Sequence, residues 1–121
     1  MRSRVAGYVS LVGVSQFLLI MVISEALYPG YSVRENYISD LGVGPTSALF
    51  NASVIAMGLA VIATSVLLRA RYSPLLFLTG AGAVMVGLFP ETTGLPHLLG
   101  AVIAFLFGGV TAVVTSKGRN P

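Results

Sequence analysis

The sequence predicts an all-α polytopic membrane protein: a four-helix transmembrane bundle with a short extracytoplasmic helix between helices 1 and 2. Three observations carry that expectation. Of 121 residues, 55% are hydrophobic and only 9% charged, against about 25% charged in an ordinary soluble domain. So few charges cannot coat a surface facing water on all sides. The apolar residues gather into four runs of membrane-spanning or nearly spanning length, and the charges fall at the ends of these runs, sorted by sign.

The first run, residues 5–26, has its one charge, Glu25, at the far end. At about 1.5 Å per residue it reaches just over 30 Å, enough to cross a hydrocarbon core. Met1-Arg-Ser-Arg4 and Ser24-Glu-Ala26 mimic the ends of a signal peptide, but the run exceeds the usual h-region and more membrane protein follows. The second run spans 47–68, with the basic patch Arg69-Ala-Arg71 after it. The third, 74–89, is at the short end for a span. After the turn 90–95 comes the fourth, 96–116, leading to Lys117-Gly-Arg119. The chain 1–121 reads as one transmembrane domain. Arg2, Arg4, Arg69, Arg71, Lys117 and Arg119 fall on one side of this arrangement; the four acidic residues, His97 and Arg34 fall on the other. The positive-inside rule then places both termini in the cytoplasm and the acidic side outside a cytoplasmic membrane.

Small residues recur at four-residue spacing in three runs: Ala52, Ala56 and Ala60; Thr79, Ala83 and Gly87; Gly100, Ala104 and Gly108. Such stripes let helix backbones approach closely where lipid supplies no hydrophobic drive. Gln16 sits near mid-membrane, where an unpaired amide is costly, so it is expected to face another helix. A constant offset superposes Asp40 on Glu91, Pro45 on Pro96, Gly58 on Gly109 and Thr64-Ser65 on Thr115-Ser116, and at a larger offset Tyr28-Pro29 matches Phe89-Pro90. That pattern describes two helical hairpins of the same orientation, the first with a longer turn.

Polar chemistry concentrates in that longer turn, an outer cap over 28–46. Ser32-Val-Arg-Glu35 has the spacing of a capping box, which predicts a short helix starting there and ending at Gly42. On it Val33, Tyr37 and Leu41 would dock on the bundle, carrying Asn36 and Asp40 inward, while Glu35 and Ser39 point away. Asp40 then needs donors: Asn36 one turn back, the Gly44-Pro45 start of the second run, or Arg34. Arg34 could equally pair with Glu91. Leu95-Pro96-His97 repeats the arrangement before the fourth run. Pro45, Asn51, Pro96 and His97 therefore mark the two outer helix starts.

Several functions find no support in the residues. There is no cysteine for a thiolate site, and the basic residues are scattered in pairs instead of forming the patch that nucleic acid requires. Phosphate-loop and G-x-S-x-G patterns are absent, and the Asn51-Ala-Ser53 sequon lies within a helix. Asp40, Glu91 and His97 are the candidate acid/base set, yet a single histidine without a second at ligand spacing argues against a metal site. No metal or other cofactor is expected.

Tyr28-Pro-Gly-Tyr-Ser32, Tyr37-Ile-Ser-Asp-Leu-Gly42, Pro45, Phe50-Asn51, Gly87-Leu-Phe-Pro90 and His97 together resemble the prokaryotic membrane-protein family called domain of unknown function 998. Tyr37-Ile-Ser-Asp-x-Gly with the following proline and phenylalanine is also similar, more distantly, to the Frag1/DRAM/Sfk1 membrane proteins, linked to lipid handling and autophagy. The first resemblance implies the membrane fold and no catalytic residues; its members usually continue with further transmembrane helices beyond the point reached at Pro121. The chain would then be a natural short form, a fragment, or half of an assembly in which a second copy takes their place, and of these a homodimer is the favoured expectation. The leading functional expectation is a non-enzymatic protein whose outer cap (Ser32, Arg34, Glu35, Asn36, Tyr37, Ser39 and Asp40) stabilises the bundle and binds a lipid headgroup or partner. The alternatives are a membrane-embedded enzyme acting on lipid at the outer interface and a small transporter, the latter disfavoured by the lack of ionisable residues deep in the helices.

Overall fold

In a computed structural model, which describes residues 2–32 and 34–118, the chain forms four α-helices joined by short turns. Expectations placed on Val33 and Arg119 lie outside the described residues. The helices are α1 (Arg2–Leu27), α2 (Ser47–Leu68), α3 (Ser73–Leu88) and α4 (Leu95–Gly118). Between α1 and α2 lie two 3₁₀ turns, Ile38–Gly42 and Gly44–Thr46; a third, Glu91–Thr93, joins α3 to α4. Three stretches, Arg2–Leu27, Gly44–Leu68 and Leu95–Ser116, are long and apolar enough to cross a membrane. With 16 residues, α3 reaches only about 24 Å at 1.5 Å per residue.

Local chemistry sets the helix ends. Arg69 ends α2 in the left-handed conformation, φ 50°, with its N–H on the Ser65 carbonyl. Ser73 opens α3 by accepting the Ala70 N–H on its hydroxyl at 2.8 Å, and Pro74 follows within the first turn, where its missing N–H costs no hydrogen bond.

Each helix packs against its neighbours in sequence, α1 on α2, α2 on α3 and α3 on α4. Close backbone approach makes these interfaces. Gly13 of α1 lies against Ala60, and Gly58 of α2 meets Gly80 and Val84 of α3. On its other side α3 turns Gly82 to Gly100 and Ala104 of α4, while Thr79 meets Gly108. The α4 stripe thus meets α3 as its spacing suggests, but of the α3 stripe Thr79 faces α4 while Gly87 packs against Asn51 and Ile55 of α2, and the closest contact with α4 is made by Gly82, outside the stripe. Of the α2 stripe only Ala60 makes such a contact, against Gly13 of α1; Ala52 and Ala56 are exposed. The reason is that α2 must serve α1 on one side and α3 on the other, and its closest approach to α3 is made through Gly58, outside the alanine stripe.

Polar groups within the helices find partners. Gln16 Nε2 donates to the Gly13 carbonyl at 2.9 Å and, across the interface, to the Ser53 carbonyl at 2.8 Å. The Ser53, Thr64, Ser65 and Thr111 hydroxyls donate to carbonyls three or four residues back in their own helices. Ser24 differs, being wholly buried with no partner for its hydroxyl among the described residues.

Two glycine substitutions test this packing. A Cβ at Gly82 would stand 2.5 Å from the Ala104 nitrogen and 2.7 Å from the Gly100 carbonyl oxygen, so Gly82→Ala is expected to destabilise by about 1–3 kcal/mol through overpacking. At Gly109 nothing lies within 4 Å, and Gly109→Ala is expected to leave the melting temperature in detergent unchanged or slightly raised. Thermal unfolding of the two variants side by side measures the difference.

Candidate functional site

The cap begins where Tyr28 donates its N–H to Ser24 at the end of α1, and Gly30, at φ 68°, turns the chain back. Tyr28 and Tyr31 meet edge to face with ring centroids 5.8 Å apart. The next stretch is not the expected helix. Glu35 and Asn36 both donate their N–H groups to the Ser32 carbonyl, and Asn36 Oδ1 accepts the Ser32 N–H at 3.0 Å. That N–H is the one Glu35 would need for a capping box. A local asparagine side chain has outcompeted the helix, as short polar side chains do in turns, and Glu35 is exposed.

Helical structure starts later, at Ile38, and its capping carboxylate is Asp40. Asp40 Oδ2 accepts the N–H of Tyr37 at 3.0 Å and the Asn36 Nδ2 amide at 2.9 Å. Tyr37 is extended, with φ −81° and ψ 155°, which breaks the helical register assumed for the docking stripe. Its side chain is 77% exposed, whereas Leu41 is completely buried. Leu41 packs with Phe50 and Val54 of α2, joined by Phe17 and Met21 of α1, Tyr28, Tyr31, and Val86 of α3.

Three consecutive carbonyls leave this turn, and each is satisfied. The Asp40 carbonyl accepts from Val43 N–H at 3.1 Å, that of Leu41 from the Thr46 hydroxyl at 2.6 Å, and that of Gly42 from Asn51 Nδ2 at 2.9 Å. Gly42 has no room for a side chain, since a Cβ there would stand 2.5 Å from Asn51 Oδ1. Asn51 and Pro45, marked in the sequence only as helix-start residues, thus flank a set of bonds that fixes the cap to α2. Pro45 lies in the Gly44–Thr46 turn, where Gly44 takes φ 81°.

On its opposite side the cap reaches the α3–α4 turn. Ser39 Oγ donates to Glu91 Oε2 at 2.7 Å, so Ser39 points toward the second hairpin instead of away from the protein. The Asp40 and Glu91 carboxyls also lie close enough to act on each other's acidity, and a proton on one of them relieves the repulsion between the two. The hydrogen bond to Glu91, then that to Asn36, holds Asp40 below its ordinary range. Glu91 moves up, first through burial and then through its contact with Asp40, against smaller opposing effects of Ser39 and His97. Arg34 is not among the groups acting on either carboxyl; it is exposed, and the expected ion pair is replaced by this acid–carboxylate contact. His97, in the first turn of α4 after Pro96, has Nδ1 2.9 Å from the Phe89 carbonyl. Because a carbonyl only accepts, that nitrogen carries the proton.

Asp40, Glu91 and Ser39 are therefore brought together, with His97 nearby and tied to backbone. No group of three or more His, Asp or Glu set to hold a metal ion occurs among the described residues. The sequence reading overlooked Thr46 and the turn-closing role of Asn36. The matching places of Asp40 and Glu91 in the two hairpins were the signal for their pairing.

These features define a helical membrane bundle closed at one end by a polar, internally hydrogen-bonded cap. A family model described as "Protein of unknown function (DUF998)" matches residues 11–121, and the chain belongs to that family. Comparisons with curated proteins and with solved structures find no match.

The paired acids dictate a pH response. Glu91 is raised from 4.5, so its contribution to stability is full below that value and is lost as pH rises through its folded-state pKa. Asp40 is lowered from 3.8, so its contribution is present above that value and is lost as pH falls through its folded-state pKa. The pair thus stabilises most in the window between, where it holds one proton. Glu91→Gln supplies a permanent donor toward Asp40 and an acceptor for Ser39. It is expected to match the wild type near pH 4.5 and to exceed it by about 1 kcal/mol at pH 8, as read by thermal melts across pH.

Proposed function

We propose that this is a non-enzymatic multi-pass protein of the cytoplasmic membrane whose cap braces the bundle on the outer side and meets lipid headgroups there. The carrying observation is where the cap's polar capacity goes. Asn36, Ser39, Asp40, Thr46, Asn51, Glu91 and His97 all bond to partners within the cap and the helix ends beneath it. What remains outward is Arg34, Glu35, Tyr37 and Ile38, all exposed. An aromatic, an aliphatic and two charged side chains on one surface suit the headgroup layer, where tyrosine is enriched. Basic residues at the opposite helix ends, among them Arg2, Arg4, Arg69 and Arg71, support termini on the cytoplasmic side. The open lateral faces of α1 and α4 support a second copy as partner.

A second reading rests on the acid–carboxylate pair itself. Two carboxyls with acidities pushed apart are the arrangement used for general acid and base, and a lipid bond at the outer interface would be the substrate. This reading requires hydrolysis of reconstituted phospholipid that both Asp40→Asn and Glu91→Gln abolish; no turnover by the wild type removes it.

The chain contains no tryptophan, so Tyr37→Trp creates a single fluorescent reporter on the cap. Reconstituted in vesicles, it is expected to be quenched by lipid brominated near the top of the acyl chain more than by lipid brominated near the bilayer centre. Quenching by aqueous iodide alone would place the cap in water and reject the headgroup contact.

A further inference from the structure

At the end of the molecule remote from the cap, the start of α1 and the end of α2 enclose an open cleft of about 480 Å³ lined by Arg2, Ser3, Leu67, Leu68 and Arg69. We propose that this cleft binds the phosphate of an anionic phospholipid. The inference does not depend on the reading of the cap.

Charge is the first argument. The chain has four acidic residues, and all lie elsewhere: Glu25 near the far end of α1, Glu35 and Asp40 in the cap, and Glu91 in the α3–α4 turn. Arg2 and Arg69 therefore line one cleft, and among the described residues no carboxylate lies at that end to neutralise them. Their counter-ion comes from outside, and planar guanidinium groups match the oxygens of phosphate.

The second argument concerns Arg69 itself. It occupies the left-handed position just past the end of α2, at φ 50° and ψ 42°, where glycine is the unstrained choice. Arginine there accepts backbone strain, which a use for its side chain in the cleft explains. The two leucines supply the third argument. They place an apolar wall beside the cations, suited to a ligand with an anionic head on an acyl chain and poorly suited to a free ion.

The test is native mass spectrometry of the full chain titrated with phosphatidylglycerol. Each basic residue near an anionic headgroup contributes about fivefold in affinity, so R2Q/R69Q is expected to bind roughly 25-fold more weakly than the wild type. R4Q/R71Q removes the same charge outside the cleft and is expected to stay within about threefold. Equal loss in the two variants, or loss in neither, overturns the proposal, and so does equal wild-type affinity for phosphatidylcholine. Inorganic phosphate at the same concentration is expected not to displace the lipid; displacement would assign the cleft to a free anion and overturn the lipid. Should R2Q/R69Q not fold, R2Q alone, at the exposed first residue of α1, is read against R4Q with an expected difference of about fivefold.

Discussion

Complete burial of Leu41 is the constraint on which the rest of the cap depends. A side chain from a connecting segment is sealed among α1, α2 and α3, so the backbone carrying it is drawn into an environment poor in water. Every peptide group drawn in must then find a partner within the protein, because an unsatisfied one costs several kcal/mol in such surroundings. The carbonyls of Asp40, Leu41 and Gly42 meet this demand one by one through Val43, Thr46 and Asn51. Gly42 and the left-handed Gly44 follow from the same geometry, the first because Asn51 lies against its Cα and the second because the chain must turn into α2.

The same turn couples the two hairpins. Leu41 faces the bundle, while its neighbours Ser39 and Asp40 reach the α3–α4 turn at Glu91. Like charges in contact would push the hairpins apart. The Ser39 hydroxyl donates across to Glu91, and Asn36 donates to Asp40 from within the cap, which offsets the repulsion. The helices themselves associate mainly between sequence neighbours, so this contact adds a direct tie from the α1–α2 connection to the α3–α4 turn.

Much of this was legible in the sequence. Four apolar runs, with charges sorted to their ends, gave the helices and their approximate limits, because length and hydropathy alone decide which segments belong in lipid. The inward placement of Gln16 followed from the cost of a lone amide. The cap was harder. Ser32 and Glu35 have the spacing of a helix start, but spacing does not reveal that Asn36 can take the same N–H from its own side. The alanines of α2 form as good a small-residue stripe as those of α3 and α4, yet a stripe does not say which neighbour a helix will present it to. Asn51 was visible as a polar residue at a helix start, whereas Thr46 carried no signal of its own; the carbonyl partners of both were fixed only once Leu41 was seated.

The central claim is that the cap is held against the second hairpin at Ser39 and Glu91. As the chain contains no cysteine, a Ser39→Cys/Glu91→Cys double variant reports that contact directly through cross-linking by a short bifunctional thiol reagent. The 2.7 Å hydrogen bond runs from Ser39 Oγ to a carboxyl two carbons beyond the Glu91 Cβ, so it does not hold the two Cβ atoms within the roughly 3.5–4.5 Å of a disulfide, and a short linker is needed to join the two thiols. Near-complete intramolecular cross-linking by the reagent is expected in the membrane, seen as loss of free thiol in a monomeric species. Thiols that stay free and fully reactive in folded protein would contradict it.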